Sequence, residues 1–162
     1  PYEVGENWPN NVGQGAKGTD GVISTVGQAN GTIGYADASK AGSLGTVSVK
    51  VGNSYVPYSA KAAAKVVDAS PLDSSATQKN RVVVKLDHTT TASGAYPVVL
   101  VSYDIVCPAY KDSKTAAFVK SWLTYVVSEE GQQTAADNAG YAPMSDTLRA
   151  KVTKSISAIS VK

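Results

Sequence analysis

The chain has 162 residues, of which 43% are hydrophobic and 17% are charged, and its formal net charge is +2. This length fits one ordinary domain with a sizeable core, and the small charge argues against a dedicated nucleic-acid-binding protein, which would carry a strong basic patch. A single cysteine excludes an intrachain disulfide framework and a cysteine-rich zinc site, and a single histidine excludes a multi-histidine metal site.

The N-terminal part of the chain predicts a turn-rich segment followed by a helix. Glycine, proline and asparagine dominate residues 1–16, where Trp8 is expected to anchor the segment to the body of the protein. Thr19 or Asp20 is expected to cap a helix that ends at Asn30-Gly31. Residues 32–36 then predict a short strand with small side chains.

The middle of the chain predicts a hairpin and a second helix. Val47, Val49 and Val51 alternate with polar residues, which is typical of a half-buried strand, and the returning strand is expected at 55–58. Ser59 is expected to cap a helix that Pro71 prevents from continuing.

The remaining elements are one long strand and three helices. Residues 96–106 read YPVVLVSYDIV and predict a strand, which Cys107-Pro108 ends. Asp112 or Ser113 is expected to cap an amphipathic helix, and Ser128 begins a shorter helix that closes at residues 138–140. Ser145-Asp146 is expected to cap the last helix.

A glycine motif at the start of the first helix has the spacing of a dinucleotide-binding loop. Gly13, Gly15 and Gly18 match the Gly-x-Gly-x-x-Gly pattern, which requires a strand before it and a helix after it. The residues before Gly13 do not predict a strand, so a glycine-rich loop that leads into a helix is the preferred interpretation. A backbone-amide anion nest at Lys17, Gly18 and Thr19 is a third possibility.

No group of residues predicts an enzyme. His88 lies in a polar turn that is more typical of a surface residue than of a general base, and Cys107 is expected to be a buried, inert thiol. Asp104 lies within the apolar strand, where it faces either a ligand cleft or solvent, and strict alternation along the strand favours solvent. No cofactor or metal is expected.

Several motifs together resemble the phosphate-specific substrate-binding proteins of ABC transporters, the PstS family. The resemblance rests on Trp8-Pro9, on the glycine loop with its continuation Thr19-Asp20-Gly21-Val22, and on Gly31-Thr32-Ile33-Gly34-Tyr35. It continues in Tyr96-Pro97-Val98, in the helix that contains Phe118, Trp122 and Leu123, and in residues 140–144. The amino-acid sequence of residues 96–107 is similar to that of actinobacterial members of the family.

The resemblance implies an α/β chain that is part of a two-lobe, type II periplasmic-binding-protein fold whose N-terminal half is missing. In that arrangement residues 1–96 are the C-terminal portion of lobe II, residues 97–101 are a crossing hinge strand, and residues 102–162 are a portion of lobe I. The family's phosphate loop, which resembles R-x-D-x-S-G-T, is absent from this sequence. The phosphate ligands are therefore expected upstream, and Lys17, Gly18, Thr19, Tyr35 and Asp104 are the candidates for a cleft or loop position in this chain.

The function that the resemblance implies is binding of phosphate, an oxyanion, for uptake by an ABC transporter. The expected partners are inorganic phosphate, the N-terminal half of the same protein and an ABC permease, with no nucleic acid. The expected location is extracellular or at the cell surface, either periplasmic or anchored as a lipoprotein in the full-length protein. The alternative is a shed or surface-exposed fragment with an interaction role and no transport activity of its own.

Overall fold

The computed structural model describes residues 12–75 and 78–162, and the described chain divides into two compact units. The first unit is Pro1–Gly45 and the second is Thr46–Lys162. The predicted anchor Trp8 and its neighbour Pro9 lie outside the described residues.

The first unit is built on one α-helix, α1 (Gly18–Val26), followed by a single turn of 3-10 helix (Ala38–Lys40). Gly34 lies against α1, because a Cβ atom at this position would come within 3.0 Å of the side chains of Val22 and Val26. A glycine is therefore what allows the returning chain to approach the helix.

Two expectations for this unit were wrong. Lys17, not Thr19 or Asp20, is the N-cap residue of α1, it makes no side-chain capping bond, and the helix ends at Val26 rather than at Asn30. Residues 32–36, predicted as a strand, pair with no strand in the described part of the chain. A short run of small residues satisfies the local pattern of a strand but supplies no partner for its backbone.

The second unit begins with a β-hairpin and a helix that pack together. Strands β1 (Val49–Val51) and β2 (Ser54–Val56) are antiparallel, and Val51 is in register with Ser54. Gly52 adopts φ +58 in the turn, a conformation that glycine takes at little cost. Helix α2 (Ala60–Ala69) follows, and the Ser59 hydroxyl accepts a hydrogen bond from the Ala62 amide, as the sequence predicted.

A small apolar cluster joins the hairpin to α2. Its buried members are Val51, Val56 and Ala62, and the ring of Tyr96 packs against them. The Tyr96 amide also donates to the Ala62 carbonyl over 3.0 Å, so the chain is fixed to α2 at the point where the predicted long strand begins.

Three further capped helices follow in the second unit. They are α3 (Ser113–Val127), α4 (Glu129–Ala139) and α5 (Asp146–Ser157). Asp112, Ser128 and Ser145 each accept a hydrogen bond from a backbone amide at the start of the helix that follows, which confirms the predicted caps. Gly140 ends α4 in the left-handed conformation, also as expected.

The larger apolar core lies between α3 and α5. Its buried members are Leu123 and Val127 from α3, Ile156 from α5 and Ile159 from the segment that follows. Two-residue strands β3 (Ala109–Tyr110) and β4 (Ser160–Val161) then pair in parallel and close this end of the unit.

The prediction of a long strand at 96–106 was wrong. Residues 96–107 belong to no helix and to no strand pairing among the described residues. The β3–β4 pair, in turn, was not predicted, because two residues carry no periodic pattern.

Candidate functional site

Three of the candidate residues lie together at the start of α1. Lys17 and Gly18 are exposed, and Thr19 is half-buried. Gly18 adopts φ +64 and Gly13 adopts φ +88, and an added Cβ at either position would meet no atom within 4 Å. These two glycines therefore allow the positive φ angle of the backbone, and no neighbouring atom lies close enough to exclude a larger side chain.

Carboxylates surround this helix start. The Thr19 hydroxyl donates to the Asp37 carboxylate over 3.0 Å, and Asp20 in the first turn lies 3.6 Å from the Lys40 ammonium. A negative side chain in the first turn already complements the positive end of the helix. The Thr19 hydroxyl therefore already donates its proton to Asp37, and Lys40 offsets the charge of Asp20, so these groups are engaged with one another.

The other two candidates are exposed and lie one in each unit. Tyr35 belongs to the first unit and is 80% exposed. Asp104 is exposed and belongs to the second unit. Neither makes a hydrogen bond among the described residues.

His88 and Cys107, the two residues considered for base and nucleophilic chemistry, are not paired with each other or with a carboxylate among the described residues. His88 Nδ1 lies 2.8 Å from the Pro97 carbonyl oxygen, and since a carbonyl only accepts, that nitrogen carries a proton and donates. Cys107 is exposed, so the expectation of a buried thiol was wrong, because the apolar strand that would have buried it is unpaired. Within residues 12–75 and 78–162, no group of three or more His, Cys, Asp or Glu side chains could hold a metal ion.

Three carboxylates have lowered pKa values, and local hydrogen bonds are the main cause each time. The hydroxyl and the amide of Ser75 lower the pKa of Asp73, and those of Thr89 lower the pKa of Asp87. The hydroxyl and the amide of Thr115 lower the pKa of Asp112 at the start of α3 in the same way. These acids stabilise turns and a helix cap, and none of them has the raised pKa of a general acid.

The described arginines do not form an anion-binding group. Arg149 donates to the Asp146 carboxylate over 3.0 Å and to the Met144 carbonyl, while Arg81 donates to the Gln78 side chain. Arg149 Nε is buried and has no hydrogen-bond partner among the described residues, so each guanidinium uses only part of its hydrogen-bonding capacity, on groups close to its own position in the sequence.

The comparison with protein families identifies the fold to which these elements belong. Residues 3–130 match the model of the PBP superfamily domain. The chain belongs to this superfamily. The expected α/β class, as part of a type II periplasmic-binding-protein fold, is confirmed, and the superfamily is one of substrate-binding proteins.

Curated relatives confirm the predicted resemblance to the PstS family. The chain is 28% identical over 160 residues to the phosphate-binding protein PstS 3 of Mycobacterium leprae, and 26% identical over 162 residues to that of Mycobacterium tuberculosis. It is also 26% identical over 161 residues to the phosphate-binding protein PstS 2 of Mycobacterium tuberculosis. Each alignment covers 96% of this chain but only 42% of the relative. No solved structure matches significantly.

The glycine motif lies within the residues that match this superfamily. A glycine-rich loop that leads into a helix therefore stays the preferred interpretation of the motif. The helix that follows it is present, and most of the residues that precede Gly13 lie outside the described part. No helix of the described residues is long and apolar enough to cross a membrane.

One exposed aromatic surface on α3 was not predicted from the sequence. On α3 the side chains of Phe118, Trp122 and Tyr125 are exposed, on the face away from the core residues Leu123 and Val127. Their spacing of four and three residues is the signal that could have shown a second apolar face.

Proposed function

We propose that this chain is part of a receptor that binds phosphate and delivers it to an ABC permease. The observation that carries the proposal is the alignment of 96% of the chain with phosphate-binding PstS proteins, together with the superfamily match over residues 3–130. The receptor acts outside the cytoplasm, in the periplasm or attached to the cell surface. It binds and releases phosphate without a cofactor and without making or breaking covalent bonds.

Most phosphate ligands of this receptor lie in a segment outside residues 1–162. The start of α1 supports this, because Asp37 and Asp20 flank the only cluster of candidate ligands that the first unit contains in its described part. In the proposed receptor residues 1–96 complete one lobe, residues 97–101 cross between lobes, and residues 102–162 belong to the other.

The missing segment also determines which oxyanion binds. A buried carboxylate that accepts a proton from the ligand selects hydrogen phosphate, because fully ionised sulfate has no proton to donate and is repelled. The near-neutral charge of this chain fits such a receptor, which captures a small anion with local dipoles rather than with a broad basic surface.

Isothermal titration calorimetry tests the proposal. The polypeptide encoded by the complete reading frame and residues 1–162 alone are each titrated with phosphate, and sulfate is the control ligand. We expect the complete polypeptide to bind one phosphate and no sulfate, and residues 1–162 to bind neither. A complete polypeptide that ignores phosphate contradicts the proposed function. Tight one-to-one binding by residues 1–162 alone contradicts the placement of the ligands outside them.

An interaction role without transport is the second candidate, and the exposed aromatic face of α3 favours it. Complementation separates the two candidates. A strain that lacks its phosphate receptor regains high-affinity phosphate uptake when it expresses the complete polypeptide, if the receptor function is correct. If the strain expresses folded polypeptide that binds no phosphate and its phosphate uptake does not rise, the interaction role is favoured.

A further inference from the structure

The turn that follows α1 contains an asparagine-glycine pair that lies open at the surface. Asn30 is followed by Gly31, and this is the only such pair in the sequence. Both residues are exposed. Gly31 adopts φ +84, and a Cβ atom added there would meet no atom within 4 Å. The peptide bond between the two residues is therefore not crowded by any neighbouring group.

Hydrogen bonds hold neither the side chain of Asn30 nor the backbone nitrogen of Gly31. Among the described residues, the Asn30 side-chain amide has no hydrogen-bond partner, and the Gly31 amide donates to no carbonyl or side chain. The nearest backbone hydrogen bonds belong to Gly27 and Gln28, whose amides donate to carbonyls of α1. The two groups of the pair can thus rotate towards each other without first breaking a hydrogen bond.

These two groups form a ring when they react. The Gly31 nitrogen loses its proton to water and attacks Cγ of Asn30, and the bond from Cγ to the side-chain nitrogen breaks as the new N–Cγ bond forms. The leaving nitrogen takes a proton from water and departs as ammonia, which leaves a succinimide. Water then opens the ring at Cγ, which gives an aspartyl residue, or at the main-chain carbonyl, which gives an isoaspartyl linkage. The net reaction consumes one water molecule and releases one ammonia.

Glycine at position 31 makes the attack sterically easy. Every other residue carries a Cβ atom beside the attacking nitrogen, and this atom restricts the backbone conformations that ring closure requires, whereas glycine adopts them at little cost. Asn53 shows the contrast within this chain. It is exposed and lies in the turn between β1 and β2, but Ser54 follows it.

A helical backbone constrains another exposed asparagine, Asn138. It lies in α4, its side chain donates to the Thr134 carbonyl over 2.9 Å, and Ala139 is the last residue of the same helix. Ring closure at Asn138 would break this hydrogen bond and distort the helical backbone. The turn at Asn30 has neither constraint, because α1 already ends at Val26.

The residues after the pair tie the chain back to α1 and are sensitive to the length of the turn. The Thr32 hydroxyl lies 2.6 Å from the Val26 carbonyl oxygen and 2.7 Å from the Ala29 carbonyl oxygen, so its proton is shared between them. Gly34 then lies so close to α1 that an added Cβ would come within 2.9 Å of Val26 Cγ2. An isoaspartyl linkage inserts one further carbon atom into the main chain before Gly31, which shifts Thr32 and Gly34 away from these contacts.

We propose that Asn30 is a site of spontaneous modification, where deamidation through a succinimide with Gly31 produces aspartyl and isoaspartyl forms and the isoaspartyl form loosens the contact of Gly34 with α1. The reaction needs water and no enzyme, cofactor or ligand. The inference does not depend on the proposed function, since every residue that carries it lies in the first unit and none is a candidate phosphate ligand.

Peptide mapping by mass spectrometry tests the proposal on the folded, complete polypeptide. The protein is incubated in neutral buffer and digested at intervals, and each deamidation replaces NH2 by OH and raises the mass of a peptide by about 1 Da. The peptide that contains Asn30 is expected to gain this mass at a rate within about tenfold of that of a synthetic peptide with the sequence 27–34, because an open turn reacts without unfolding. A rate that is lower by more than about tenfold overturns the proposal.

Two other asparagines in the same digest are internal controls. Asn53 is expected to react at least about tenfold more slowly than Asn30, because Ser54 carries a Cβ atom, and Asn138 is expected to react at least about tenfold more slowly because α4 holds it. Equal rates at Asn30 and at either control overturn the assignment of Asn30 as the reactive site. Labelling by protein isoaspartyl methyltransferase, which methylates isoaspartyl but not aspartyl carboxylates, then measures the isoaspartyl fraction.

A matched pair of variants checks the effect on α1. The methyl NMR signals of Val22 and Val26 are expected to gain a second set as the wild type and Asn53→Gln age, in proportion to the isoaspartyl fraction, because these side chains border Gly34. No second set is expected in Asn30→Gln, which lacks the reactive side chain. Unchanged methyl signals in aged wild type that contains isoaspartate refute the loosening of the contact, and so does a second set of equal size in Asn30→Gln. If Asn30→Gln does not fold, the time course of the wild type decides.

Discussion

Truncation of Leu123 tests the core that holds the second unit together. Leu123 lies on α3, is 6% exposed and packs with Val127, Ile156 and Ile159. These residues bring the last strand and the last helix against α3, so they fix residues that are far apart in the sequence. Leu123→Ala leaves a cavity at the centre of this cluster.

The expected loss is about 2–3 kcal/mol of unfolding free energy. Leucine-to-alanine substitutions in protein cores cost about 2–5 kcal/mol, and the loss grows with the cavity that remains. The lower part of that range applies here, because Val119, Met144 and Val152 border the cluster, are only partly buried and can relax into the space. Such a loss is a large fraction of the roughly 5–15 kcal/mol that stabilises an ordinary domain.

Urea unfolding followed by far-UV circular dichroism measures this loss. With a urea dependence of about 2 kcal/mol per molar, the midpoint is expected to fall by roughly 1–1.5 M. Leu100→Ala is the matched control, since it removes the same atoms from an exposed position and is expected to change stability by less than about 0.5 kcal/mol. Equal losses for the two variants would refute the packing of α3 on α5.

Two further predictions concern hydrogen bonds at helix starts. The Ser145 hydroxyl accepts from the Leu148 amide at the start of α5 and donates to the Asp68 carboxylate over 2.5 Å. Ser145→Ala is therefore expected to lower the unfolding free energy by about 1–2 kcal/mol, whereas the control Ser121→Ala, on the exposed side of α3, is expected to change it by less than about 0.5 kcal/mol. Equal unfolding midpoints for the two variants would contradict this prediction. Hydrogen bonds from the hydroxyl of Thr115 and, to a smaller extent, from its amide lower the pKa of Asp112 below the ordinary value of 3.8. The ionised carboxylate therefore stabilises the folded protein above pH 3.8, and this stabilisation is lost as the pH falls through the lower pKa of the folded state. An NMR titration of the carboxyl carbon in the wild type and in Thr115→Val checks it, and identical pKa values in the two proteins would refute the assigned cause.

The helices of the second unit could be predicted from the sequence because their signals are local. Ser59, Asp112 and Ser145 each stand immediately before an apolar helical pattern, and Ser128 stands before two glutamates that favour a helix start; each of the four caps the helix that follows. A helix satisfies its own backbone, so a cap and a periodic face are sufficient to place it. The first helix differs, because the Thr19 hydroxyl bonds to Asp37 instead of capping α1.

Strands were predicted less well because their stability depends on partners elsewhere in the chain. The hairpin β1–β2 formed, since its partner strand follows a two-residue turn. The segments at 32–36 and 96–106 have the right composition for strands but no described partner, and the β3–β4 pair joins residues about fifty positions apart. Composition therefore indicated where a strand could form but not what it would pair with.

The candidate site could be predicted only as a set of separate residues. Lys17, Gly18 and Thr19 lie together because they are adjacent in the sequence, whereas Asp104 belongs to the other unit. The bond between Thr19 and Asp37 joins a helix start to a loop 18 residues later, and no periodic pattern announces such a contact. The boundaries of the two lobes, at 96 and 102, remain predictions.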